Sequence, residues 1–332
     1  MDYRYEPHVV VIGGGTGLSI LLSGLKRFTS YITAVVTVAD DGGGSGVLRE
    51  DIGMLPPGDI RACILALANM EPKMEKLLNY RFEQGALKGQ SFGNLFLAAM
   101  NGIYGRFDLA VQETSSVLAV TGKVFPVTLE DIALTALFED GQVVTGESII
   151  PNYGKNSRSK IVQMSTSPKE IYTSSHVLEA LDSADIIVLG PGSLYTSVIP
   201  NLLVQGIVPS IINSNAPKVY ICNVMTQSGE TYRYSVKDHV QAILDHSAET
   251  LLDYVVINDA QIPEVDLVRY SEEESEPVMY TKEDELFLEE KDIKPLLGDF
   301  YQVKSGYIRH NSLALGQKLI TIADMHKTDK SE

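Results

Sequence analysis

Gly13-Gly14-Gly15-Thr16-Gly17 stands between a short apolar run, residues 8–12, and leucines at helical spacing, Leu18, Leu21, Leu22 and Leu25. A glycine loop that leaves a strand and opens a helix lets backbone amides approach a phosphate, and the helix N-terminus adds partial positive charge. Gly13 and Gly15 match the first two glycines of the dinucleotide fingerprint, while Leu18 stands where the third belongs. A tight turn needs fewer small residues than are present, so the loop reads as phosphate-binding. Asp40 and Asp41 end the next β-rich run, residues 32–39, about twenty residues beyond the glycines, where a dinucleotide fold places the acid that meets a ribose. Three readings are open for this pair: a ribose contact, a Mg²⁺ site whose shell water completes, or turn chemistry ahead of Gly42-Gly43-Gly44-Ser45-Gly46.

Further loops follow the same plan. In Pro56-Pro57-Gly58-Asp59-Ile60-Arg61, Asp59 can cap a helix whose Ile60, Cys63, Ile64 and Leu67 form one face. Asp59 and Arg61 are candidates for the same crevice, and Arg61, off that apolar face, is either solvated or a ligand contact. In Gly89-Gln90-Ser91-Phe92-Gly93-Asn94, Ser91 is a natural cap, and Asn94 in the first turn can meet a base, ribose or carbonyl. Gly190-Pro191-Gly192-Ser193 again sets small residues between a strand, 185–189, and a helix, 194–203, that Pro200 kinks or delays. Two such loops on adjacent central strands flank the switch-point crevice of a doubly wound sheet.

Much chemistry is missing. There is no Gly-x-x-x-x-Gly-Lys-Ser/Thr loop, no Gly-x-Ser-x-Gly elbow and no Cys-x-x-Cys. His8, His176, His239, His246, His310 and His326 show no metal-ligand spacing, and no general base stands out.

The elements that must hold these loops alternate strand and helix along the 332 residues, giving one large α/β domain over 1–325 with a doubly wound, mostly parallel sheet. Short apolar runs over 124–150, with Asp140-Gly141 as a hairpin signal, predict a small antiparallel subregion. Residues 271–292, with ten acidic and two basic side chains, read as a solvated excursion or a lid, and 326–332 as a frayed tail. With 43 acidic against 27 basic residues, net −16, nucleic acid and anionic membrane are unsuitable as main partners. Two cysteines, Cys63 and Cys222, fit a reducing compartment. The N-terminus lacks a signal-peptide pattern and no apolar run approaches the ~20 residues of a membrane span, so a soluble cytoplasmic protein is expected.

Taken together and in order, the five loops, the last extended through Leu194-Tyr195-Thr196-Ser197, resemble those of the YvcK-type gluconeogenesis factors, CofD-like relatives of the 2-phospho-L-lactate transferases. The resemblance implies a Rossmann-like fold with its ligand at the carboxyl edge of the sheet. It implies a regulator, not a proven enzyme, of gluconeogenic growth, cell shape and cell-wall morphogenesis that binds UDP-sugars such as UDP-N-acetylglucosamine, with cell-wall synthesis or signalling proteins as partners. No cofactor is then required. The transferase branch implies a nucleotide-activated phospholactate donor, a deazaflavin acceptor and Mg²⁺. Carried over by position, Gly14, Gly15 and Thr16 contact the diphosphate, Asp40 the nucleoside, and Asn94 and Ser193 the same cleft. In the transferase branch Asp40 and Asp41 become the metal or catalytic candidates, and the pair does not decide between the branches. Tyr270 is a candidate to stack on uracil, and Arg309 to fold over the diphosphate, since the glycine loop supplies no lysine. A third reading is an NAD-binding protein, because NAD also carries a diphosphate. Oligomeric state is left open.

Overall fold

The computed structural model describes residues 6–329. Seven strands form one parallel sheet: β1 (Val9–Gly13), β2 (Ile32–Val36), β3 (Lys123–Pro126), β7 (Ile186–Leu189), β8 (Lys218–Ile221), β9 (Tyr254–Asn258) and β10 (Lys294–Gly298). Their order is β10-β9-β8-β7-β1-β2-β3. β1, β2 and β7 are buried along their whole length, as continuous apolar runs must be when helices cover both faces of a parallel sheet. The chain runs outward from β1 to β2 and β3, then returns to place β7 on the other side of β1. The switch point therefore lies between β1 and β7, and the two glycine-rich loops leave these neighbouring strands. The expected doubly wound α/β architecture is present.

The first helix, Gly15–Leu25, buries Leu18, Leu21, Leu22 and Leu25, each contributing about 1.5–3 kcal/mol on full burial. Pro200 falls in the first turn of a short helix, Ile199–Leu202, and a wider π-helical turn, Leu194–Val198, precedes it. In that helix Asn201 Nδ2 donates to the Ser197 carbonyl at 2.8 Å and to that of Gly13 at 3.3 Å, tying the second ligand loop to the end of β1.

The antiparallel subregion is real, but its boundaries differ from 124–150. The run at 124–126 is edge strand β3 of the parallel sheet, paired with β2. The small sheet consists of β4 (Ala133–Phe138), β5 (Val143–Thr145) and β6 (Ile161–Ser167), in the order β5-β4-β6. Asp140-Gly141 makes the turn between β4 and β5, with Gly141 at φ +82. A two-stranded hairpin, β11 (Tyr301–Lys304) and β12 (Tyr307–His310), precedes the last helix, Ser312–Asp329.

The acidic stretch is not one solvated excursion. Its second half is a helix, Lys282–Glu290, with a Thr281/Asp284 capping box, and it buries Phe287 and Leu288. The expected frayed tail is helical through Asp329, and His326 Nε2 donates to the Asn215 carbonyl at 2.8 Å; residues 330–332 lie outside the described residues. Cys63 and Cys222 are free and buried. Among the described residues, no helix is long and apolar enough to cross a membrane.

Candidate functional site: a cleft at the strand switch point

The two loops touch. A Cβ on Gly17 would lie 2.7 Å from the Pro191 carbonyl oxygen, and one on Gly192 would lie 3.1 Å from that of Gly14. Gly15, at φ +67, turns the chain so that Gly14, Gly15, Thr16 and Gly17 face an open cavity of about 750 Å³. Gly192 and Ser193 share that lining. Residues 223–228, which follow β8, form another wall, where Gln227 Nε2 donates to Ser193 Oγ at 2.8 Å.

Tyr270 and Arg309 both line the cavity. The Tyr270 hydroxyl accepts the Ile308 N–H at 2.7 Å, and its ring sits among Val224, Ile262 and Ile308, so its orientation is fixed. The Arg309 guanidinium carbon lies 4.8 Å from the Tyr307 ring centre, whose ring Arg269 also approaches at 3.8 Å. Arg309 has no ion pair among the described residues. His310 is no third cation: burial holds its imidazole down at about 4, and its Nε2 donates to the Cys222 carbonyl. Lys155 also lines the cavity. Sequence reasoning missed it because a lysine in the polar run Asn152-Tyr153-Gly154-Lys155-Asn156 carries no motif.

The other candidates lie outside the lining of this cavity. Asp59 Oδ2 accepts the Gly15 N–H at 2.7 Å, so this amide, expected to face phosphate, is engaged by a carboxylate, and the loop's phosphate donors are its remaining amides. Gly13 ends β1 beneath the loop. Ser91 is an ordinary cap, its Oγ accepting the Asn94 N–H at 3.2 Å. Asn94 Oδ1 and Arg61 Nε are buried without hydrogen-bond partners, and Arg61 packs against Gly93.

The aspartate pair is held largely by backbone amides. Asp41 spends Oδ2 and Oδ1 on the N–H groups of Glu147 and Ser148, each at 2.9 Å, and Asp40 Oδ1 accepts the Gly42 N–H at 2.9 Å. Among the described residues, no group of three or more His, Cys, Asp or Glu is arranged to hold a metal. Asp40 matches the turn reading through its bond to Gly42, whereas Asp41 is tied to a distant segment, at Glu147 and Ser148.

Carboxylates nevertheless crowd this flank. Burial first, then Asp40, Glu230, Asp41 and Asp59, push Glu147 up to about 8. Burial raises Glu230 to about 7 against hydrogen bonds from Thr196 and Tyr195, and Asp59 to about 6 against the Gly15 N–H. Each group holds its proton more tightly folded than unfolded. The stability this lends is full below the ordinary carboxylate range and is lost as pH rises through about 6 to 8. The melting temperature is expected to fall between pH 5 and pH 9, and Glu147→Gln to flatten that fall. At about 1–2 °C per kcal/mol for a chain of this length, the variant should melt a few degrees above the wild type at pH 8.5. Melting curves across pH check this, and parallel profiles for the two proteins count against it.

A family model described as 2-phospho-L-lactate transferase CofD matches residues 9–301. The chain belongs to the CofD family. A relative from Thermoanaerobacterium thermosulfurigenes is 53% identical, over 97% of this chain and 98% of its own. The gluconeogenesis factor of Bacillus subtilis is 43% identical, over 96% of this chain and 98% of its own. A crystal structure of a Bacillus halodurans protein shares the fold of this CofD-family chain at a TM-score of 0.91 and 45% identity, covering 96% of this chain and 99% of that one. The CofD match ends at the first residue of β11, so β12 and Arg309 lie beyond it.

Proposed function

We propose that this chain is a cytoplasmic, non-catalytic regulator that binds a nucleotide-sugar of the UDP-N-acetylglucosamine type and acts in gluconeogenic growth, cell shape and cell-wall morphogenesis. The observation carrying this reading is the convergence, on one cavity, of two glycine-rich loops with Arg309, which has no ion pair of its own among the described residues. Backbone amides and a guanidinium fork suit a diphosphate, and the fixed Tyr270 ring supplies a surface for a base. The gluconeogenic part of this setting draws on relatives named gluconeogenesis factors, and cell shape and cell wall on the resemblance of the loops. Cell-wall synthesis or signalling proteins are the partners such a sensor would address.

The description of the family model, 2-phospho-L-lactate transferase, favours a second reading, transfer of a phospholactate-like group, for which the resemblance of the loops implies a deazaflavin acceptor. That chemistry calls for Mg²⁺ near Asp40 and Asp41, where both oxygens of Asp41 and Oδ1 of Asp40 accept backbone amides. Calorimetric titration with UDP-N-acetylglucosamine, UDP-glucose and NAD, with and without Mg²⁺, separates the readings. Saturable, Mg²⁺-independent binding that leaves the UDP-sugar intact is expected. Absence of UDP-sugar binding, or product from an activated phospholactate and a deazaflavin, would replace the proposal.

A further inference from the structure

The antiparallel unit of β4, β5 and β6 contributes one residue, Lys155, to the lining of the cavity. Lys155 lies in the last turn of the helix Ile150–Ser157, which connects β5 to β6, and it lines the same cavity as the glycine loop. A close backbone approach fixes its place. A Cβ on Gly154 would lie 2.1 Å from the Gly229 carbonyl oxygen, and one on Gly229 would lie 2.0 Å from that of Pro151. Real side chains do not occupy such distances, so the helix and the loop after β8 meet through glycine on both sides. Two residues before Gly229, Gln227 bonds Ser193 of the second ligand loop. A short packed path thus joins Lys155 to the ligand loops.

Charge singles the residue out. In a chain of net charge −16, Lys155 and Arg309 are the cations lining this cavity. Lys155 forms no ion pair among the described residues, whereas nearby Arg158 pairs with Glu274 at 3.0 Å. Glu273, the acid in the lining, lies 3.8 Å from Arg269.

We propose that Lys155 is a second cationic ligand for the bound diphosphate, acting from the wall built by the antiparallel unit while Arg309 acts from hairpin β11–β12. This rests on the anionic-ligand reading of the cavity given above. An ammonium on a flexible stem carries three donors without a fixed fork, so it can follow either phosphate. The ligand is then selected for its diphosphate as well as for its base.

The test titrates wild type, Lys155→Met and Lys155→Arg with UDP-N-acetylglucosamine and with inorganic pyrophosphate, at low and high salt, beside melting curves. Lys155 is exposed, so both variants should fold. Lys155→Met is expected to bind both probes about tenfold to a hundredfold more weakly, with a shallower salt dependence and an unchanged melting temperature; Lys155→Arg should retain most of the affinity. Wild-type affinity and salt slope in Lys155→Met overturn the inference. A wild-type protein that ignores UDP-N-acetylglucosamine but binds pyrophosphate through Lys155 removes the nucleotide-sugar reading and keeps this one. One that ignores both probes overturns both.

Discussion

Gly17→Ala is expected to lose ligand affinity by at least about a hundredfold and to melt several degrees below the wild type. The added methyl would sit 2.7 Å from the Pro191 carbonyl oxygen, 2.9 Å from its carbon and 3.1 Å from the Gly192 nitrogen. All three are backbone atoms, so no side chain can rotate away, and the two ligand loops must part. Overpacking of this kind costs about 1–3 kcal/mol of stability. The loss in binding is larger, because donors from both loops stop converging, and hydrogen bonds to a charged group contribute roughly 1.5–3 kcal/mol each. Gly102→Ala is the matched control: it lies within the helix Phe92–Tyr104 with nothing within 4 Å of its Cβ, and should gain a fraction of a kcal/mol. Calorimetry and melting curves on both variants decide the matter. Unimpaired binding by Gly17→Ala would falsify the placement of the ligand between these loops.

Arg309→Ala is expected to weaken UDP-sugar binding by about tenfold to a hundredfold with little change in stability. The residue has no ion pair to break among the described residues, and its ring contact with Tyr307, at 4.8 Å, is worth about 0.5–1 kcal/mol at a partly exposed site. Arg309→Lys should fall between, since an ammonium keeps the charge and loses the planar fork. Equal affinities for all three proteins would leave the cavity without its expected clamp, and the diphosphate would have to be placed elsewhere.

The glycine loop and the helix after it were legible because their signals are local: a buried apolar strand, small residues, then leucines at helical spacing. The adjacency of the two loops was also legible, through the general rule for doubly wound sheets. The fate of the aspartates was not. The amides that engage Asp41 belong to Glu147 and Ser148, 106 and 107 residues away, and no spacing encodes such a partner. Tyr270 and Arg309 were reached as candidates, but the hydroxyl bond of Tyr270 to the Ile308 backbone had no signature. The run at 124–126 looks alike whether its neighbour runs parallel or antiparallel, so sequence alone groups β3 with the antiparallel runs although it pairs with β2. β6 is buried at Ile161, Met164 and Thr166, an irregular pattern that period-two counting passes over. The acidic count over 271–292 averaged away the inward face of a helix that buries Phe287 and Leu288.

The switch point is also a mechanical seam. β1 meets β2, its next strand in the chain, on one edge, and β7 on the other; along that second edge Asn201 reaches the Gly13 carbonyl across 188 residues. A ligand lying on both loops is a rivet across this long-range joint. Mass action then links occupancy to unfolding: at a hundred times its dissociation constant, such a ligand adds about 2.7 kcal/mol to global stability. That gain should appear as slower hydrogen exchange in β1 and β7 together, because the seam must open before either strand can exchange through unfolding.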